Sequence, residues 1–159
     1  MNNINRLIER WNKHGITCPP GARIVDVEAF ERSHDVILPS DMRAYFLAVN
    51  GMGEHGMCDD DLFSFWSLQN LVTIAEDLPD RCSGFPDAPR CFMFADHSIG
   101  LPTFAIRLSA DAEAPSPVAS VFSDFGAFKV QYFFGSFTDF VNHYLDDPVG
   151  TSCALPGNV

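Results

Sequence analysis

The chain has 159 residues, 47% of them hydrophobic and 19% charged. That is the composition of a folded globular domain; a disordered chain carries more charge and less apolar mass. Ten Lys and Arg against 21 Asp and Glu leave a formal charge of −11, which opposes a general grip on nucleic acid phosphates and docking to an anionic membrane surface, and favours a basic partner.

Met1–Arg6 holds no apolar stretch of the kind that opens a secretory signal, and the longest wholly apolar run, Cys91–Ala95, is far too short to span a bilayer. Cys18, Cys58, Cys82, Cys91 and Cys153 are odd in number and form no CxxC. The expectation is a cytoplasmic protein with free thiols.

Ile4, Leu7, Ile8 and Trp11 fall at i, i+3, i+4 and i+7, one apolar face of a helix that Gly15 ends. Pro19-Pro20-Gly21 reads as a rigid loop. Asp26 is the expected N-cap of a second helix, with Val27, Phe30 and Glu31 along it, stopping near His34-Asp35. Leu38-Pro39-Ser40-Asp41 opens a third, with Pro39 at the first helical position and Asp41 at the positive end of its dipole. Met42, Tyr45, Phe46 and Val49 repeat the helical spacing, and Asn50-Gly51 closes it.

Residues 51–61 are glycine-rich and acidic and read as a mobile loop. Leu62–Trp66 reads as a strand, Ser67–Leu71 as the start of a helix to about Asp77, and 78–90 as loop. Cys91–Asp96, Thr103–Leu108, Val118–Ser123 and Phe128–Phe133 are short, aromatic and β-branched, separated by turn residues, as in an antiparallel meander. Thr103–Leu108 alternates, with Phe104, Ile106 and Leu108 on one face and Ala105 and Arg107 on the other. Ser136, followed by Asp139, caps a last helix carrying Phe137, Phe140, Val141, Tyr144 and Leu145, which Asp146-Asp147-Pro148 ends. The fold class expected is α+β: one domain over residues 1–148, a mostly antiparallel sheet of about four to six strands, helices N-terminal and C-terminal to it, and a loose tail over 149–159.

Chemistry-bearing clusters are sparse. His55–Asp61 holds metal-ligating residue types but lacks both the EF-hand order and the second Cys or His pair of a zinc site. Cys91, Asp96 and His97 contain the residue types of a thiol–imidazole–carboxylate set, but Cys91 lies in the apolar run Cys-Phe-Met-Phe, as an inert core cysteine would. There is no GxSxG, Walker loop, HExxH or GxGxxG. The fifteen phenylalanines fall mostly at core positions. Trp66 reads as core, with an exposed aromatic patch at Phe63, Phe65 and Trp66 as the alternative. Charge is distributed unevenly. No Lys or Arg lies between Arg43 and Arg81, a stretch that contains Glu54, Asp59, Asp60, Asp61, Glu76, Asp77 and Asp80. From Leu108 onward Lys129 is the only base against six acids. Such a surface serves solubility, or the fast capture of a cationic protein.

Phe30-Glu31, then Leu38-Pro39-Ser40-Asp41-Met42-Arg43-Ala44-Tyr45-Phe46-Leu47, then Asn50-Gly51, resemble the N-terminal signature of the SUKH superfamily. That group includes yeast cell-wall-assembly regulators and many bacterial immunity proteins. The aromatic strand Leu62–Trp66, the strand-rich middle and the closing helix Ser-Phe-Thr-Asp-Phe-Val-Asn-His-Tyr-Leu are similar too, so the resemblance spans about residues 24–147. The loop after Asn50-Gly51 is richer in glycine and acid than the family pattern. The resemblance implies a non-catalytic immunity protein that binds and neutralises a cognate toxin domain, a basic nuclease-type one, with no cofactor and no metal, as a monomer or weak dimer. The family's binding face is diverse, so no residue carries over by motif. The partner-binding candidates Glu54, Asp59, Asp60, Asp61, Glu76 and Asp77 rest on local charge. An interaction scaffold in envelope or signalling regulation is the alternative, followed by a small thiol or metal enzyme.

Overall fold

The apolar face at Ile4, Leu7, Ile8 and Trp11 forms α1 (Asn3–Lys13), whose first turn is capped by the Asn2 side chain accepting from the Ile4 amide at 2.9 Å. The computed structural model describes residues 2–54, 56–81, 84–98, 102–124 and 127–153. The second helix, α2 (Ile24–His34), starts earlier than Asp26, which sits in its first turn. The N-cap there is Arg23, and its guanidinium grips both Asp26 oxygens at 2.8 Å. In α3 (Ser40–Ala48), Pro39 is the N-cap and stands one residue before the first helical position. Val49 has already left the helix, in extended backbone, but is buried.

Glu31 ties these helices together: it accepts from the Leu38 amide at 2.9 Å and pairs with Arg43. Asn50-Gly51 does not close α3, whose C-cap is Val49; it serves the contact beyond. The Asn50 side-chain Oδ1 accepts from the Leu68 amide at 2.7 Å, and Gly51, at φ +72°, lies so near the chain at 65–67 that a Cβ would stand 2.7 Å from the Phe65 carbonyl oxygen. The motif therefore seats the helix exit against the first strand.

That strand is β1 (Phe63–Phe65), followed by β2 (Val72–Thr73), β3 (Cys91–His97), β4 (Thr103–Arg107), β5 (Val118–Asp124) and β6 (Ala127–Phe134). All pairings are antiparallel, in spatial order β1-β3-β4-β5-β6, and β2 pairs the edge of β3 that β1 also uses. The meander expected after residue 90 is thus present, and the α+β class holds. The continuous helix expected over 67–77 is not. In its place stand a 3-10 turn at Leu68–Asn70, the two residues of β2, and the short α4 (Ile74–Asp77). The reason lies in Thr-Ile-Ala-Glu: β-branched Val72 and Thr73 pair with β3, and Thr73 then forms a reciprocal capping box with Glu76.

Ser136 caps α5 (Phe137–Asp146) as expected, but Asp139 reaches the Gly135 amide at 2.9 Å, one residue short of the usual partner. The tail is corrected in part: Pro148–Ser152 forms α6, capped by Asp147 and anchored by buried Thr151, while residues 154–159 lie outside the described part.

All the longer helices cover one face of the sheet. Phe92, Phe94, Phe104, Ile106 and Leu108 point from it into a core with Trp11, Tyr45, Phe46, Phe140 and Tyr144. The opposite face carries Cys91, Met93, Ala105 and Val121, covered only in part by Ile74, Ala88 and the chain around them. No helix of the described residues is long and apolar enough to cross a membrane.

Candidate functional site

The half-covered face of the sheet forms a groove with a cavity volume of about 810 Å³. Its floor comes from the strands: Ser64, Val72, Met93, Thr103, Val121 and Phe128, with Trp66 just beyond β1. Gly56, Cys58 and Leu62, from the acidic loop, form one wall; Asp77, Leu78 and Arg81 form the other.

A bulge between Met93 and Ala95 decides which side chains of β3 reach this groove. It places both Phe94 and Ala95 in the helix-side core and reverses the alternation beyond. Asp96, paired across the sheet with Ser64 and Thr103, then lines the groove, where its carboxylate accepts from the Trp66 indole N–H at 2.7 Å. His97 turns to the other side, its ring 5.0 Å from that of Phe63.

The six acidic candidates separate. Asp59 is a correction: it is 3% exposed and belongs to the core's polar joint. One of its oxygens accepts from the Phe63 amide at 2.9 Å and the Asp61 amide at 3.0 Å; the other accepts from the Tyr144 hydroxyl. Trp11 and Arg10 in turn donate to that hydroxyl at 3.0 and 3.2 Å. Asp61 is half-buried and paired with Arg10, and Glu76 is held by Thr73. Glu54 and Asp60 are exposed on the loop, and Asp77 is exposed at the groove wall. The acidic loop is also less loose than its glycines suggest. Its backbone covers the outer edge of β1, the Met52 amide donating to Phe65 and the Asp59 amide to Phe63, both at 2.9 Å.

His14, Asp59 and Asp61 bring potential metal-ligand atoms within 4.8 Å of one another. Arg10 already supplies the cation there, bonded to Asp61 and 3.6 Å from Asp59. His55 lies outside the described residues. Burial and Asp59 hold the Tyr144 hydroxyl far above its ordinary range, so it acts as a donor.

Cys91, Asp96 and His97 do not meet as a triad. Cys91 and His97 stand at opposite ends of β3, roughly 20 Å apart at the strand rise. Burial pushes the Cys91 thiol up to about 11, so at neutral pH it is protonated. Cys18, Cys58 and Cys153 are free thiols like Cys91, and Cys82 lies outside the described residues.

Sequence reasoning missed Asp96 as a groove residue, because plain alternation places it in the core. Trp66, read as core, is partly buried against the smaller core cluster and also lines the groove, on the face opposite Phe63 and Phe65, whose burial excludes the exposed aromatic patch. No protein-family model matches this chain, and no curated protein matches it.

Proposed function

We propose that this chain is a non-catalytic binding module of the immunity type, which neutralises a cognate toxin domain by occupying its basic surface. What supports this reading is that the two acidic stretches of the sequence, 54–61 and 76–80, flank one groove. Gly56 and Cys58 of the first stretch and Asp77 and Leu78 of the second line the same cavity. A concave, partly apolar surface lined by Asp77 and Asp96 beside, among the described residues, a single cation, Arg81, in a chain of formal charge −11, is suited to capturing a basic protein. The signature resembling the SUKH superfamily supplies the biological role.

The test uses the toxin module that this reading expects to be encoded beside the gene. The purified chain binds that module and abolishes its activity at a one-to-one ratio, measured by calorimetry and by the toxin's own assay. A module that is neither bound nor inhibited overturns the reading.

A further inference from the structure

We infer that the groove receives an arginine side chain carried on an extended basic segment of the partner, seated between Trp66 and the carboxylates of Asp77 and Asp96. The inference rests on the binding role proposed above and names the chemistry of what enters the groove.

The two carboxylates and the indole line one cavity. The Trp66 N–H holds one Asp96 oxygen at 2.7 Å; among the described residues the other oxygen has no hydrogen-bond partner. A guanidinium suits such a place better than an ammonium: it is planar, stacks on an aromatic face and presents paired N–H groups to a carboxylate. The groove wall already holds one such contact, made by the chain itself. Arg81 lies with its guanidinium carbon 4.6 Å from the centre of the Phe128 ring.

The mouth of the groove is held by an unusual backbone contact. Leu62 at φ +65° and Ser98 at φ +51° are two of three non-glycine residues with positive φ among those described, and the Ser98 amide donates to the Leu62 carbonyl at 3.0 Å. Strain of this kind persists where surrounding structure enforces it, and it clusters at binding sites. Leu62 is 50% exposed at the groove wall. An apolar lip around a carboxylate-bearing floor fits a segment whose backbone and aliphatic stems lie on the lip while a cationic head reaches inside.

The test uses the intact chain and three short acetylated, amidated peptides alternating glycine with arginine, lysine or citrulline, followed by NMR. The arginine peptide shifts the Trp66 indole resonance and the amides of Ser64, Met93 and Thr103, with a dissociation constant of about 1 mM. The lysine peptide binds about threefold more weakly and the citrulline peptide leaves the spectrum unchanged. Asp77→Asn and Asp96→Asn each weaken the arginine peptide by about fivefold. Asp77 is exposed, so its variant reads the site even if the Asp96 variant fails to fold. Glu9→Gln with Glu28→Gln, exposed acids on α1 and α2, leaves binding unchanged. Shifts that centre on the helices, or an affinity that Asp77→Asn does not alter, overturn the inference. If the toxin module is bound and inhibited while the arginine peptide does not enter the groove, the inference falls and the immunity reading stands. If the peptide enters and the toxin module is ignored, the reverse holds.

Discussion

Asp59 is an acidic residue whose charge faces inward. Its carboxylate joins the entry of β1 to α1 through Arg10 and to α5 through Tyr144. Removing one member of a buried, hydrogen-bonded charge cluster strands the others. Asp59→Ala therefore costs about 3 kcal/mol in urea unfolding, while Asp60→Ala, one residue on and exposed, stays within about 0.5 kcal/mol of the parent. Gly51 offers a second contrast. Both Gly51 and Gly53 have positive φ, but a Cβ at Gly51 meets the Phe65 carbonyl and Trp66 backbone, whereas at Gly53 it meets nothing within 4 Å. Gly53→Ala costs about 1 kcal/mol of backbone strain; Gly51→Ala adds a backbone clash and costs roughly 3 kcal/mol, read as the fall in thermal midpoint.

At the scale of elements, α4 is a four-residue helix that depends on its cap. Thr73 accepts from the Glu76 amide at 3.2 Å, and Glu76 accepts from the Thr73 amide and hydroxyl at 2.9 and 2.8 Å. Thr73→Val removes both roles of the hydroxyl and costs about 1 kcal/mol. The Thr73 backbone and side-chain hydrogen bonds hold the Glu76 carboxyl below the ordinary glutamate range. A carboxyl whose folded pKa is depressed stabilises the fold above its unfolded value and loses that contribution as pH falls through the folded one. The parent's advantage over Glu76→Gln is therefore full above the ordinary glutamate range and is lost as pH falls through the depressed folded value, small throughout because Glu76 is exposed to solvent screening. Chemical unfolding of both proteins across that range checks it. Because α4 forms the groove wall that carries Asp77, loosening its cap also weakens whatever the groove binds.

For the whole molecule, charge governs encounter more than grip. A formal charge of −11, with Asp77 and Asp96 lining the groove, sets up a field that speeds the encounter of a basic partner and is screened by salt. On the proposed immunity reading, association with the toxin module slows by about tenfold between roughly 50 mM and 500 mM salt, with dissociation changed far less, in stopped-flow or surface-plasmon measurements. An association rate indifferent to salt would locate the binding energy away from Asp77 and Asp96.

The residues alone carried the order of the longer helices and of β3 to β6, the class of fold and the two faces of β4, because periodicity is a local property and needs no knowledge of what lies opposite. Thr103–Arg107 shows it: Phe104 and Ile106 enter the helix-side core while Ala105 faces the other way. Which acids face solvent was settled only by packing. Asp59 and Asp60 are neighbours in the chain and identical in chemistry; one is buried against Tyr144 and Arg10 across more than forty residues of sequence, and the other is exposed, its carboxylate 3.8 Å from the His14 ring. The same is true of Asp96. Its place in the groove follows from a single extra residue in the pairing of β3 with β4, and the register between two strands is a relation between segments that neither segment encodes by itself.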